Sequence, residues 1–144
     1  MTLTRRHLIG GLGAALALGA LGLAVEPPIL QALMRRVVLG SGDPDALGST
    51  EAAERYIQQM PWSLRVQVRG LFRALQWMPI TSHGARFTAL NAEDQDDFLD
   101  NLATSPFALR RQMMAAVKQI CAMGHYQHPE VWVAMGYPGP LVGR

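Results

Sequence analysis

The side chains best suited to chemistry in this sequence are one cysteine and two histidines near its end. Cys121, His125 and His128 follow i, i+4 and i+7 spacing, so on a continuous helix they would share one face. Thiolate and imidazole groups are ligands for zinc and copper. Against this, Gly124 favours a helix end, and Pro129 pushes the residue before it towards extended backbone. We therefore expect no metal site, and a small exported metal- or redox-binding protein that uses these three residues is the alternative hypothesis.

Cys121 has two further interpretations. With His125 it could form a thiolate nucleophile, but the sequence places no orienting acid or oxyanion donor beside the pair. Because Cys121 is the only cysteine, it cannot form a disulfide within the chain. It is either buried as a small apolar side chain or bonded to a cysteine of another chain. Glycine-rich phosphate loops and haem-attachment motifs are also missing from the sequence, so we expect a non-enzyme without a cofactor of its own.

The start of the sequence indicates export. Arg5 and Arg6 stand just before an uncharged stretch, residues 8–25, in which five of eighteen residues are glycine. This pattern resembles a twin-arginine signal, which directs folded cargo across the bacterial inner membrane. We expect residues 1–25 to be this signal and the protein to lie in the periplasm or on the periplasmic face of the inner membrane. A plain secretory signal or a retained anchor is the alternative.

The remaining residues, 26–144, are predicted to form one domain. They contain eleven of the thirteen basic residues and all eleven acidic residues, so this part of the chain is neutral. DNA- and RNA-binding domains usually carry an excess of basic residues. We therefore expect no nucleic-acid partner.

Apolar residues recur at helical spacing along this domain, whereas no segment alternates as a half-buried strand would. We predict an all-α fold of four to five helices with an extended proline- and glycine-rich tail. The expected helix starts are a Ser49 or Thr50 cap, Trp62 after Pro61, an Asn91 cap and a Ser105-Pro106 cap, and Gly124 and Gly136 are expected ends. In the helix from Trp62 to Met78, the expected inward residues are Leu64, Val68, Leu71, Phe72, Leu75 and Met78, and the expected outward ones are Arg65, Arg69 and Arg73.

Residues 128–144 are predicted to be an interaction tail. Trp132 and Tyr137 are of the types that dominate the energetics of protein interfaces. Pro138 and Pro140, on either side of Gly139, hold the chain extended, so it has little conformational entropy to lose on docking. We take these five residues as partner-binding candidates. The competing interpretation is that Trp132 only covers the domain core.

The same tail resembles the end of a known family. The similarity lies in Pro-Glu-Val-Trp at 129–132 and Met-Gly-Tyr-Pro-Gly-Pro at 135–140, together with the Arg5-Arg6 signal and the acidic helix followed by the long helix that Ser105 opens. In these features the chain resembles the gluconate 2-dehydrogenase subunit 3 family. Members are small, twin-arginine-bearing subunits of membrane-associated flavin dehydrogenases for sugars, sugar acids and other alcohols.

The resemblance implies a non-catalytic small subunit. It would bind a large FAD-containing dehydrogenase subunit that lacks its own signal, and escort it through the twin-arginine export machinery. FAD would then belong to the partner, and a separate membrane cytochrome subunit would accept the electrons. This chain is short, which suggests a compact branch whose partner is a different alcohol or steroid dehydrogenase.

Overall fold

The computed structural model describes residues 27–38 and 43–139, and every regular element within these ranges is helical. Five helices exceed ten residues: α1 (Pro27–Val37), α2 (Ser49–Gln59), α3 (Trp62–Trp77), α5 (Ala92–Ala103) and α6 (Ala108–His125). Shorter elements are α4 (Ile80–His83), α7 (Pro129–Ala134) and a 3-10 turn at Phe87–Ala89. The expectation of an all-α fold is confirmed for these ranges. The predicted signal 1–25, with Arg5 and Arg6, lies outside the described residues, as does Pro140.

A single apolar core joins the long helices. Helix α1 packs against α2, α3, α5, α6 and the 3-10 turn, and α6 packs against α1, α2 and α5. Burying a large apolar side chain contributes about 1.5–3 kcal/mol, so this core is the main source of stability. Its largest members are Ile29, Leu30, Leu33 and Met34 from α1, Ile57 from α2, Leu71, Phe72 and Leu75 from α3, Phe87 from the 3-10 turn, Phe98, Leu99 and Leu102 from α5, and Met114, Val117 and Ile120 from α6.

Gly124 does not end α6, so the expectation that it would was wrong. The helix continues to His125, and Gly124 lies within it at the contact point of the crossing between α2 and α6. A β-carbon on Gly124 would lie 2.5 Å from Ala53 Cβ and 2.8 Å from the Ser49 carbonyl oxygen. Glycine is therefore needed here for the close approach of two helix backbones, not for an unusual backbone conformation.

The predicted start of α5 is confirmed. Asn91 is its cap: the Asn91 side-chain oxygen accepts a hydrogen bond from the Asp94 backbone N–H at 2.8 Å, and its amide nitrogen donates to Asp94 Oδ2 at 2.8 Å. One backbone N–H that would otherwise be unpaired at the helix start is satisfied in this way, and the second bond joins the two side chains. The negative charges of Glu93 and Asp94 in the first turn complement the helix dipole.

The predicted caps of α2 and α6 were wrong. Before α2 stands Gly48, with φ of 69°, and Ser49 is already the first helical residue, so neither Ser49 nor Thr50 is the cap. Helix α6 begins at Ala108 rather than at Ser105-Pro106. Ser105 Oγ instead accepts a hydrogen bond from the Phe107 N–H at 3.2 Å, which closes a turn before the helix.

Helix α3 is buried only in its second half. Leu71, Phe72 and Leu75 face the core as predicted. Leu64 does not: it is 48% exposed, and no residue of 62–69 is buried. The first half of α3 therefore lies at the edge of the core, where Val68 packs against it while only partly buried. Among the described residues, no helix has the length and apolarity needed to cross a bilayer.

Candidate partner-binding surface

The tail predicted to bind a partner is held in place by Trp132. The indole Nε1 donates a hydrogen bond to the Tyr126 carbonyl oxygen at 2.7 Å. The Tyr137 ring meets the indole edge-on, with ring centroids 6.1 Å apart. Gly139, with φ of 94°, lies beside the indole, since a β-carbon there would be 3.7 Å from Trp132 Cε3. The described part of the tail thus folds back onto Trp132 instead of running away from the domain.

A hydrogen-bonded turn at the end of α7 produces this arrangement. Gly136 has φ of 70°, and its N–H donates to the Val133 carbonyl oxygen at 3.1 Å. The Tyr137 N–H donates to the Trp132 carbonyl oxygen at 2.8 Å. These two bonds and the left-handed glycine form a Schellman motif, in which the side chains at the Tyr137 and Trp132 positions characteristically touch. The expectation that Gly136 would end this helix is confirmed.

The outer side of this segment is apolar and exposed. Val133 is 80% exposed, Met135 50% and Tyr137 49%. We call Trp132, Val133, Met135 and Tyr137 the tail platform. Val131, on the opposite side of α7, is fully buried and docks the helix. Exposed apolar side chains held by a rigid backbone are the usual composition of a protein-binding surface, because little ordering is needed on docking.

Trp132 is not a member of the core cluster. It is half-buried, and it contacts Tyr126, Tyr137 and Gly139. Trp132 therefore organises the tail platform. Of the five partner-binding candidates, the structure brings Trp132, Tyr137 and Gly139 together, and Pro138 lies between the last two as an exposed residue.

Cys121 and His125 lie one turn apart on the buried face of α6. Ser49 Oγ and His125 Nδ1 are hydrogen-bonded at 2.8 Å, and both residues are fully buried. His128 follows the end of α6 and precedes α7 in extended conformation. Within the described residues, no three His, Cys, Asp or Glu side chains are grouped so that they could hold a metal ion.

Burial raises the pKa of the Cys121 thiol to about 12. Desolvation is the cause, since a thiolate is poorly solvated in an apolar environment. The thiol is therefore protonated at neutral pH, which makes it a poor nucleophile and a poor metal ligand. A disulfide to another chain would require α6 to separate from its neighbours, because Cys121 has no exposed surface.

Sequence reasoning missed a groove of about 680 Å³ between α4, the end of α5 and the start of α6. His83 lies at its side, with Nδ1 2.7 Å from Ser82 Oγ and Nε2 3.3 Å from Asp97 Oδ2. Serine, histidine and aspartate are in line as in a catalytic relay, but the ring nitrogens are exchanged, since in the relay Nε2 faces the serine and Nδ1 the aspartate. The Asp97 side chain is 63% exposed, however, and a carboxylate in water orients and stabilises an imidazolium only weakly. We assign no catalytic role to the group formed by Ser82, His83 and Asp97.

The sequence contains little that would reveal this groove. His83 and Asp97 are 14 residues apart and lie on different elements, so no helical period relates them. Only the adjacency of Ser82 and His83 is visible in the sequence.

Comparison with known proteins identifies no relative: no protein-family model matches this chain, and neither does any curated protein or solved structure. The class of protein defined by the fold is a helical domain with an exposed apolar platform.

Proposed function

We propose that this chain is the non-catalytic small subunit of a periplasmic or membrane-associated FAD-dependent dehydrogenase. It binds the large flavin subunit in the cytoplasm and escorts it through the twin-arginine export machinery. Catalysis and FAD belong to the large subunit, and a membrane cytochrome subunit accepts the electrons.

The tail platform is the observation that carries this proposal. Val133, Met135 and Tyr137 are exposed, while Trp132 and the turn at Gly136 hold them in one arrangement. A surface of this kind loses little entropy when it docks, and its tyrosine and tryptophan are of the hot-spot types. Three of its four residues, Trp132, Met135 and Tyr137, lie in the segments in which the sequence resembles the family.

Arg5 and Arg6 supply the second support. The twin-arginine route exports proteins that are already folded, so a partner bound in the cytoplasm can cross with the chain that carries the signal. The buried, protonated Cys121 is consistent with a chain that performs no chemistry itself.

The test is coexpression of the full chain with an FAD-containing dehydrogenase subunit that lacks its own signal, sought in the neighbouring reading frames. We expect the purified complex to contain FAD and to reduce an artificial electron acceptor. The Val133→Ser substitution should lower the amount of complex that is recovered. Leu109→Ser is the matched control, because Leu109 is also an exposed aliphatic residue, 46% exposed, on a different helix. Equal recovery with both variants would contradict binding through the tail platform.

Export is tested separately by replacing Arg5 and Arg6 with lysine. We expect dehydrogenase activity to remain in the cytoplasm, because a lysine pair is a poor twin-arginine signal. Normal periplasmic activity in this variant would reject the escort role, whatever the result with Val133→Ser.

A further inference from the structure

One face of α3 carries a tryptophan at each end and arginines between them. Residues 62, 66, 69, 73 and 77 are spaced by three or four positions, so they lie on one side of the helix. We call this set, Trp62, Val66, Arg69, Arg73 and Trp77, the α3 stripe. Trp62 is 74% exposed and Trp77 49% exposed, so both ends of the stripe are open to solvent.

The sequence around the α3 stripe carries charge of one sign. Residues 55–92 contain five arginines and no aspartate or glutamate, although the domain as a whole is neutral. The acidic residues are concentrated on either side of this segment, at 43–54 and 93–100. Arg86, the last arginine of the segment, places its guanidinium 5.6 Å from the centre of the Trp77 ring. Positive charge and indole rings are therefore presented together.

The position of α3 in the fold leaves both ends of this face accessible, while Val66, Arg69 and Arg73 between them are half-buried. No residue of 62–69 is fully buried, so the first half of the helix lies at the edge of the core. The two tryptophans are 15 residues apart, which corresponds to about 22 Å along a helix. A surface that contacts both indoles at once must be nearly flat over that distance.

We propose that the α3 stripe binds the surface of an anionic phospholipid bilayer. Tryptophan side chains prefer the boundary between lipid headgroups and acyl chains. Arginine guanidinium groups match phosphate geometry, and each basic residue near an anionic membrane contributes about 1 kcal/mol. A bilayer supplies negative charge and a flat apolar boundary across the whole stripe. An acidic protein is the less favoured occupant, because it would need a complementary surface of the same length.

The α3 stripe is separate from the tail platform, and the proposal does not depend on a flavin partner. It assigns the domain a membrane contact of its own, parallel to the bilayer surface. The chain would then hold a bound partner at the membrane without a spanning segment in the described residues.

The test uses the full chain carrying Trp77→Phe and Trp132→Phe, which leaves Trp62 as the only tryptophan. We expect its fluorescence to shift to shorter wavelength with vesicles of phosphatidylcholine and phosphatidylglycerol in equal parts, but not with phosphatidylcholine alone. The shift should decrease as salt is added, since surface electrostatics are screened. Because Arg5 and Arg6, just before the uncharged segment 8–25, also favour anionic vesicles, the arginine variants below identify the stripe, and the vesicle preference alone does not.

A pair of variants tests the arginine contribution. Arg69→Gln should weaken partition onto the anionic vesicles about fivefold, the factor that corresponds to 1 kcal/mol. Lys118→Gln on α6 removes the same charge from an exposed position outside the stripe and should have a much smaller effect. Equal effects of the two variants, an equal Trp62 shift with neutral vesicles, or no shift at all would overturn the proposal. A Trp62 shift caused only by the copurified flavoprotein would identify a protein occupant instead and would overturn it as well.

Discussion

The crossing of α2 and α6 and the tail platform are two helical surfaces built in opposite ways. At the crossing, Gly124 and Ala53 bring the backbones together, and the polar pair Ser49 and His125 is fully buried and hydrogen-bonded. At the platform, the polar Nε1 of Trp132 is satisfied within the segment, while the apolar side chains remain in water.

This difference separates residues that hold the fold from residues that are available for binding. In a close-packed interior an added methyl group or the loss of a hydrogen-bond partner is costly, so substitutions at the crossing should lower stability. An exposed apolar side chain stabilises the isolated domain very little. Its substitution should leave the fold intact and affect only what docks there.

Gly124→Ala is expected to have the largest effect on stability. In an ordinary helix this substitution stabilises by about 1 kcal/mol, but here the new methyl group would lie within 3 Å of three atoms of α2. Overpacking of this kind costs about 1–3 kcal/mol, so we expect the free energy of unfolding in denaturant to decrease. Ala115→Gly, at an exposed position of the same helix, should also lower stability, although only through helix propensity.

The double variant Gly124→Ala with Ala53→Gly sharpens this test. It removes the Ala53 β-carbon, the nearest of the three atoms, and should recover part of the loss. Additive effects of the two substitutions would show that the helices do not meet at this point.

Ser49→Ala is expected to cost somewhat less. It removes the hydroxyl that is 2.8 Å from His125 Nδ1, and loss of a partner for a buried polar group costs about 1–3 kcal/mol. Thr50→Ala is the control. Thr50 Oγ1 is also buried, but it has no hydrogen-bond partner among the described residues, so its removal should be nearly neutral or stabilising. Thermal unfolding of both variants would check this, and equal losses would argue against the Ser49–His125 bond.

The buried thiol predicts a pH dependence of smaller size. Because burial raises the pKa of Cys121 from 9.0 to about 12, the unfolded chain releases this proton near pH 9 while the folded chain keeps it. The free energy of unfolding should therefore be unaffected below pH 9 and then fall by about 1.4 kcal/mol per pH unit as the pH rises. Cys121→Ala should lose this part of the slope. Identical slopes from about pH 9 to about pH 10 in the two proteins would mean that the thiol is not buried.

The fold was predictable from the sequence where local and tertiary requirements agree. The Asn91 cap and the Gly136 end are local hydrogen-bonded motifs, and both are found at the expected residues. Gly124 and Ser49 were misinterpreted for a shared reason. Each matches a local signal, for a helix end and a helix cap, but each serves a contact between α2 and α6 that only the tertiary fold creates.

The candidate site was predictable in composition and not in geometry. The residue types of Trp132 and Tyr137 suggested a binding tail, but proline content suggested an extended chain. The spacing from Trp132 to Gly136 and Tyr137 does indicate the Schellman motif that folds the tail back. In contrast, the exposure of Leu64 could not be predicted, because helical period shows which residues share a face but not how far along the helix the core extends.

Val133→Ser should have the smallest effect on stability and so provides the sharpest contrast with Gly124→Ala. Val133 is 80% exposed, and a substitution at such a position changes the free energy of unfolding by about 0.5 kcal/mol or less. If the tail platform binds the flavin subunit, the same substitution should weaken that complex, and losing the burial of a valine side chain, worth about 1.5–3 kcal/mol, corresponds to about tenfold or more in affinity. The two quantities can be measured on one preparation, by denaturant unfolding of the chain alone and by titration of the flavoprotein. A large loss of stability with unchanged affinity would place Val133 with the residues of the crossing and would remove the distinction between the two surfaces.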